Sequence, residues 1–107
     1  MTSAAAANAY SLLSDELRAD PDDDVALTDE GLTVKGTLFA FPLDDDLVVA
    51  LPSTRAADLV RRDVATAHAA DAPAGGSWVR IDALDLWSEL ASEAHTFVGE
   101  PAVGRQS

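Results

Sequence analysis

Three aspartates at alternate positions, Asp20, Asp22 and Asp24, are the first residues whose types and spacing could bind an ion. An EF-hand calcium loop begins with oxygen ligands at alternate positions, and it also requires a glycine at its sixth position and a glutamate at its twelfth. This chain has Val25 and Gly31 at those two positions. We therefore interpret the aspartates as a solvated acidic loop and predict no metal site. The aspartates of residues 44–46 are likewise interpreted as a turn.

The chain has two histidines, His68 and His95, and no cysteine. Transition-metal sites usually need three or four cysteine, histidine or carboxylate ligands, so this pair predicts none. General-base catalysis by His68 with Asp63 or Asp71 stays open, although nothing in the spacing favours it. The glycine–serine turn at 75–77 lacks the further residues of a nucleophile elbow or a phosphate loop. We predict a non-enzymatic protein with no catalytic residue, no cofactor and no metal.

Trp78 is a candidate interaction residue because of its place in an alternating strand pattern. It shares one strand face with Arg80, whereas Val79 and Ile81 form the apolar face. A tryptophan in such a position either belongs to the core or lies on the outer face of the sheet. In the second case, Trp78 and Arg80 mark a docking surface for a partner.

Three arginines on one predicted helix, Arg55, Arg61 and Arg62, form the best candidate basic patch. Such a patch is what phosphate binding requires. Asp58 and Asp63 lie on the same segment and dilute its positive charge. We therefore include the arginines in a possible interaction surface, without assigning them to nucleic acid.

The elements that must position these residues follow from hydrophobic periodicity and turn signals. The predicted order is a helix over 4–19, a three-strand meander over 25–51, a helix over 53–63 capped by Ser53 or Thr54, one or two strands over 64–82, and a last helix over 85–99 capped by Asp85. The class is therefore α+β, with an antiparallel sheet and helices packed on it. At 107 residues we predict a single domain over 1–107, with an ordered core over about 5–99 and a flexible tail over 100–107.

The charge balance is strongly acidic, with 19 acidic against 7 basic residues and a net charge of −12. Such a surface repels nucleic acid phosphates and anionic lipids, so we expect neither partner. We also expect a cytoplasmic protein, because no apolar run is long enough to span a bilayer and the first residues lack a signal-peptide pattern. Adaptation to high salt, biased codon usage and plain solubility remain open as causes of the acidity.

Several segments resemble the TfoX N-terminal and YjbR-like (MmcQ/YjbR) domain families. The similarity covers roughly residues 10–99 and consists of the runs GTLFAF from Gly36, LVVALP from Leu47, AADLVRR from Ala56, the pair Trp78–Val79, and the helix pattern WxxLAxxAxxFV from Trp87. The chain departs from relatives in the segment DVALTDEG and at Ala50, where relatives often carry lysine.

The resemblance implies a regulatory role, since TfoX-type proteins are associated with regulation of natural competence. YjbR-type proteins have been likened to DNA-binding folds. The families supply no catalytic residues to transfer. We therefore predict an interaction or regulatory module that binds a protein partner or itself. The alternatives are a nucleic-acid-binding regulator, an acidic mimic of DNA, and a chaperone-like protein of the class I secretion type.

Overall fold

The computed structural model describes residues 3–19, 24–72 and 75–99. The predicted tail over 100–107 and most of the acidic aspartate loop lie outside these residues. The predicted α+β class is confirmed, because the described residues form a six-stranded antiparallel sheet and three α-helices. The helices are α1 (Ala4–Leu17), α2 (Ser53–Arg61) and α3 (Trp87–Gly99), the last preceded by a 3₁₀ turn at Leu84–Leu86.

The sheet contains one strand more before α2 than the predicted three-strand meander. Its strands are β1 (Val25–Leu27), β2 (Leu32–Val34), β3 (Thr37–Leu43), β4 (Asp46–Pro52), β5 (Thr66–His68) and β6 (Gly76–Ile81), arranged in the order β1-β2-β3-β4-β6-β5. The meander before α2 therefore has four strands, and the segment after α2 contributes two. Both β1 and β5 are edge strands of three residues each.

The helix ends differ in detail from their predicted caps. Ser3 caps α1, with its Oγ accepting a hydrogen bond from the Ala6 N–H at 3.1 Å. The prediction that Ser53 or Thr54 caps α2 is wrong, because Pro52 holds that position and makes no side-chain cap. The Ser53 hydroxyl instead donates to the Gly75 carbonyl at 3.2 Å, which joins the start of α2 to the loop before β6.

Residues that face each other across neighbouring strands lie on the same side of a sheet, so the register defines two faces. On the inner face, Val49 pairs with both Ala40 and Val79, and all three are at most 1% exposed. Helix α3 covers this face and buries Trp87, Leu90, Ala91, Ala94 and Val98. Helix α2 lies beside α3 over β6 and β5, and α1 packs against α3.

A β-bulge lets β3 contribute an extra large side chain to the inner face. Leu32 pairs with Ala40, whereas Thr33 pairs with Leu38, so Phe39 is the additional residue. Phe39 is fully buried, and its ring contacts His95 of α3 with centroids 5.6 Å apart. The bulge therefore helps to anchor α3 on the sheet.

Candidate functional site

Trp78 lies with Arg80 on the outer face of the sheet, the face opposite the helices, which was one of the two alternatives left open by the sequence. It pairs with Ala50 on β4 and with His68 on β5. Its side chain is nevertheless 5% exposed, and its Nε1–H donates to the Asp71 carbonyl at 2.6 Å. Because the ring is buried, Trp78 offers a partner no exposed contact area, although it was a candidate docking residue.

Aromatic rings from three strands cover the centre of the outer face. The ring of Phe41 on β3 meets Trp78 edge to face at 5.2 Å, and it meets His68 in the same manner at 5.8 Å. These rings cover Val48 and Ala50, which are fully buried on β4. The cluster therefore closes the outer face as a small second core.

Arg80 is held by carboxylates on the same face. Its Nη2 lies 2.7 Å from Asp46 Oδ2, and its Nε donates to the same oxygen at 3.1 Å. Asp44 adds a longer contact of 3.9 Å. The guanidinium is thus neutralised by its neighbours on the turn between β3 and β4.

Two arginines of α2 and Arg62, which directly follows the helix, converge on one aspartate. Arg61 and Arg62 bind Asp58 at 2.8 and 3.1 Å, and Arg55 lies 3.8 Å from it. Arg55 also forms a bidentate pair with Glu93 of α3, at 2.9 and 3.1 Å. This bond raises the pKa of Arg55. The predicted basic patch is consequently a set of ion pairs, in which Arg61 and Arg62 remain largely exposed.

The residues considered for general-base catalysis do not come together, since Asp63 lines a polar pocket with Asp46, Arg80 and Asp82 that does not include His68 or Asp71. His68 packs against Phe41 and forms no hydrogen bond with Asp63 or Asp71 within the described residues. In the same residues, no three histidine or carboxylate side chains are placed to hold a metal ion.

A groove between α1 and the start of α3 brings together residues that the sequence reasoning missed. This α1–α3 groove has a volume of about 430 Å³. Leu12 is 62% exposed and Leu84 is 39% exposed at its edges, so two large apolar side chains border the same depression. The residues that line it are Ala9, Leu12, Leu13, Glu16, Leu84, Trp87 and Ser88.

Buried side chains hold the floor of the α1–α3 groove in place. Trp87 is 2% exposed, and its Nε1–H donates to the Ile81 carbonyl at 2.9 Å. Ser88 Oγ donates to Glu16 Oε1 at 2.9 Å, which ties α3 to α1 across the groove. The groove is therefore formed by ordered contacts between two elements that are distant in sequence.

The rim of the groove is acidic. Asp15 and Glu16 follow Leu12 by three and four residues, and therefore lie beside it on the helix surface. Asp85 follows Leu84 on the other side, is exposed, and forms no ion pair with another described residue. The nearest base along α1 is Arg18, which binds Asp15 at 3.1 Å. The rim carries net negative charge.

The sequence patterns did not single out Leu12, which lies beside the core-facing residues Tyr10, Leu13 and Leu17 of α1. Ala9, Leu12, Leu13 and Glu16 also follow i, i+3, i+4, i+7 spacing, which is the signal for a second, partly exposed face.

A second groove separates α2 from the sheet edge formed by β5 and β6. It has a volume of about 340 Å³, and Val60 is 39% exposed at its border. Its lining is mostly small: Ser53, Ala56, Ala57, Val60, Arg61, Ala67, Ser77, Trp78 and Val79. This α2–β5 groove lacks the paired exposed leucines of the first.

Comparison with known proteins found no matching family model, no matching curated protein and no matching solved structure. None of the described helices is long and apolar enough to cross a membrane.

Proposed function

We propose that this chain is a non-enzymatic interaction module that binds a protein partner through the α1–α3 groove. The observation that carries the proposal is the exposure of Leu12 and Leu84 on either side of the buried Trp87. Exposed apolar side chains are common singly, whereas exposed apolar side chains that group together can mark an interaction site. A regulatory role of the TfoX or YjbR type, inferred from the resemblance, is part of the same proposal.

The contacts of the polar side chains support an interaction role over a catalytic one. Arg80 is paired with Asp46, and Arg55 is paired with Glu93. Catalytic groups usually converge on a cleft where they can contact a substrate. The Arg55–Glu93 pair connects α2 to α3. Arg80 and Asp46 line a polar pocket of about 280 Å³ with Asp63 and Asp82, but Arg80 is bound to Asp46 there.

Charge favours a protein over nucleic acid as the partner. Every arginine in the described residues forms an ion pair with an aspartate or a glutamate, in a chain of net charge −12. Phosphate contacts strengthen as salt is lowered, so an electrophoretic shift of DNA or RNA at low salt would support the alternative. We expect no shift.

Site-specific photo-crosslinking tests the proposal. A benzophenone amino acid replaces Leu12 in one variant and Val60 in a matched control, since Val60 is also an exposed apolar helix residue. In a lysate of the source cells, we expect a discrete protein adduct from position 12 that position 60 does not give. Adding Leu84→Ser should reduce that adduct. Equal adducts at both positions, or none at position 12, would contradict the proposal.

A further inference from the structure

We infer that the occupant of the α1–α3 groove is an amphipathic helix of a partner protein, with lysine or arginine beside its apolar face. This inference rests on the proposed function and specifies the chemistry of the partner. Three features of the groove carry it: its walls, its exposed leucines and its acidic rim.

The walls of the groove suit a helix. One wall is the α1 face that contains Ala9 and Leu12, and the other is formed by Leu84 and the first turn of α3. A helix that lies in the depression between two packed elements can insert its side-chain ridges between theirs. Amphipathic helices bind such grooves through anchors at i, i+3, i+4 and i+7. Leu12 and Leu84 would contact those anchors from either side.

The rim selects the charge of the occupant. Glu16 lines the groove. Asp85 is exposed next to Leu84 in the chain, and Asp15 lies one helix turn after Leu12, where it pairs with Arg18. Lysine or arginine next to the apolar stripe of a bound helix would be attracted to these carboxylates. Their attraction would act mainly on the rate of association and on the choice of partner.

The same charges argue against other occupants. A second copy of this chain would bring a net charge of −12 against −12, and like charges across an interface oppose association. Nucleic acid and anionic lipid surfaces are disfavoured for the same reason. A basic helix fits both the apolar groove and its rim.

The inference is tested by measuring the binding of model peptides to the full chain. The first probe is an 18-residue helical peptide with leucines at the anchor positions and lysines beside them. The second replaces every lysine by glutamate, and the third keeps the lysines but scrambles the leucines. Binding is measured by fluorescence anisotropy at low and at physiological salt.

We expect the lysine–leucine peptide to bind, and the other two to bind at least about tenfold more weakly. Leu12→Ser should weaken binding of the first peptide about tenfold, because it removes an apolar contact worth roughly 1.4 kcal/mol. The double variant Asp15→Asn with Asp85→Asn should weaken binding at low salt and flatten its salt dependence. Val60→Ser in the α2–β5 groove is the control and should leave binding unchanged.

Equal binding of the lysine–leucine and scrambled peptides would overturn the inference, since attraction would then be purely electrostatic. Unchanged binding of the lysine–leucine peptide by the Leu12→Ser variant would also overturn the inference. If the lysine–leucine peptide does not inhibit formation of the position-12 adduct, the proposed function stands but the partner is not a basic helix. An adduct between two copies of this chain, with a dimer by light scattering, would identify the second copy as occupant and also reject the inference.

Discussion

Tyr10 offers a direct probe at the scale of single residues, because it is the only tyrosine in the chain. Burial against the core raises its pKa by disfavouring the charged phenolate. The folded state therefore retains a proton that the unfolded state loses near pH 10. Its contribution to stability is full below about pH 10 and is lost as the pH rises through the raised value.

We predict that the phenol absorbance of the folded protein titrates above the ordinary tyrosine value. The free energy of unfolding should fall more steeply above about pH 10 in the wild type than in Tyr10→Phe, which removes the titrating group. Spectrophotometric titration and urea unfolding at several pH values measure both effects. A titration midpoint at or below the ordinary value would contradict the stated effect of burial.

Trp87 forms the buried floor of the α1–α3 groove, and a hydrogen bond holds its ring in place. Trp87→Phe removes the donor to the Ile81 carbonyl and leaves empty volume in the core. We expect the free energy of unfolding to fall by about 2 kcal/mol or more. Leu12→Ser, at an exposed position, should change it by less than about 0.5 kcal/mol. Urea denaturation measures both values. Comparable losses of unfolding free energy in the two variants would contradict a groove with a buried Trp87 and an exposed Leu12.

Single residues also show how far sequence reasoning reaches. That Trp78 shares a strand face with Arg80 could be predicted, because alternation along β6 is a local property. Its burial could not, because Phe41 and Asp71 reach it from other segments. The pairing of Arg55 with Glu93 could not be predicted for the same reason, because 38 positions separate the two residues in the sequence.

At the scale of elements, the long apolar patterns predicted their helices and strands correctly. The division of the first β segment into β1 and β2 was missed, and β5 was left as one of two alternatives. The stripe of α3 and the run in β3 contain enough large side chains to identify them. In β5, Thr66 and Ala67 are both exposed, so the strand has no apolar face for a pattern to reveal. Its pairing with β6, which the local pattern does not show, makes it a strand.

The turn between β1 and β2 depends on a glycine. Gly31 has φ +144°, and a Cβ there would lie 2.4 Å from the Ala40 carbonyl oxygen and 2.6 Å from Phe41 Cβ. The backbone of β3 cannot easily move away, since it forms part of the sheet. Gly36, in the next turn, has φ +83° but no atom within 4 Å of that position.

We predict that Gly31→Ala destabilises the protein by about 2 kcal/mol or more, through both strain and steric overlap. Gly36→Ala should cost about 1 kcal/mol, because it meets only the penalty of a positive φ. Urea denaturation of the two variants compares them directly. The reverse order of stabilities would mean that the close packing of Gly31 on β3 is incorrect.

At the scale of the whole molecule, the net charge of −12 acts against compactness. Repulsion among like charges is relieved when salt shortens the screening length, from about 30 Å at 0.01 M to about 3 Å at 1 M. We predict that the urea midpoint rises with KCl over this range. If the midpoint stops rising once the charges are screened, the acidity serves solubility. If the midpoint continues to rise in molar KCl, the acidity is an adaptation to high salt. A midpoint that is flat or falls would refute the prediction.

The central claim, that the α1–α3 groove is the docking surface, is tested most directly by the indole N–H signals of the two tryptophans. Trp87 lies in that groove, whereas Trp78 borders the α2–β5 groove and the outer face. In a two-dimensional ¹H–¹⁵N NMR titration with the lysine–leucine peptide, we predict that the Trp87 indole signal moves and the Trp78 signal stays. A shift of Trp78 alone, or of neither signal at saturating peptide, would contradict the account.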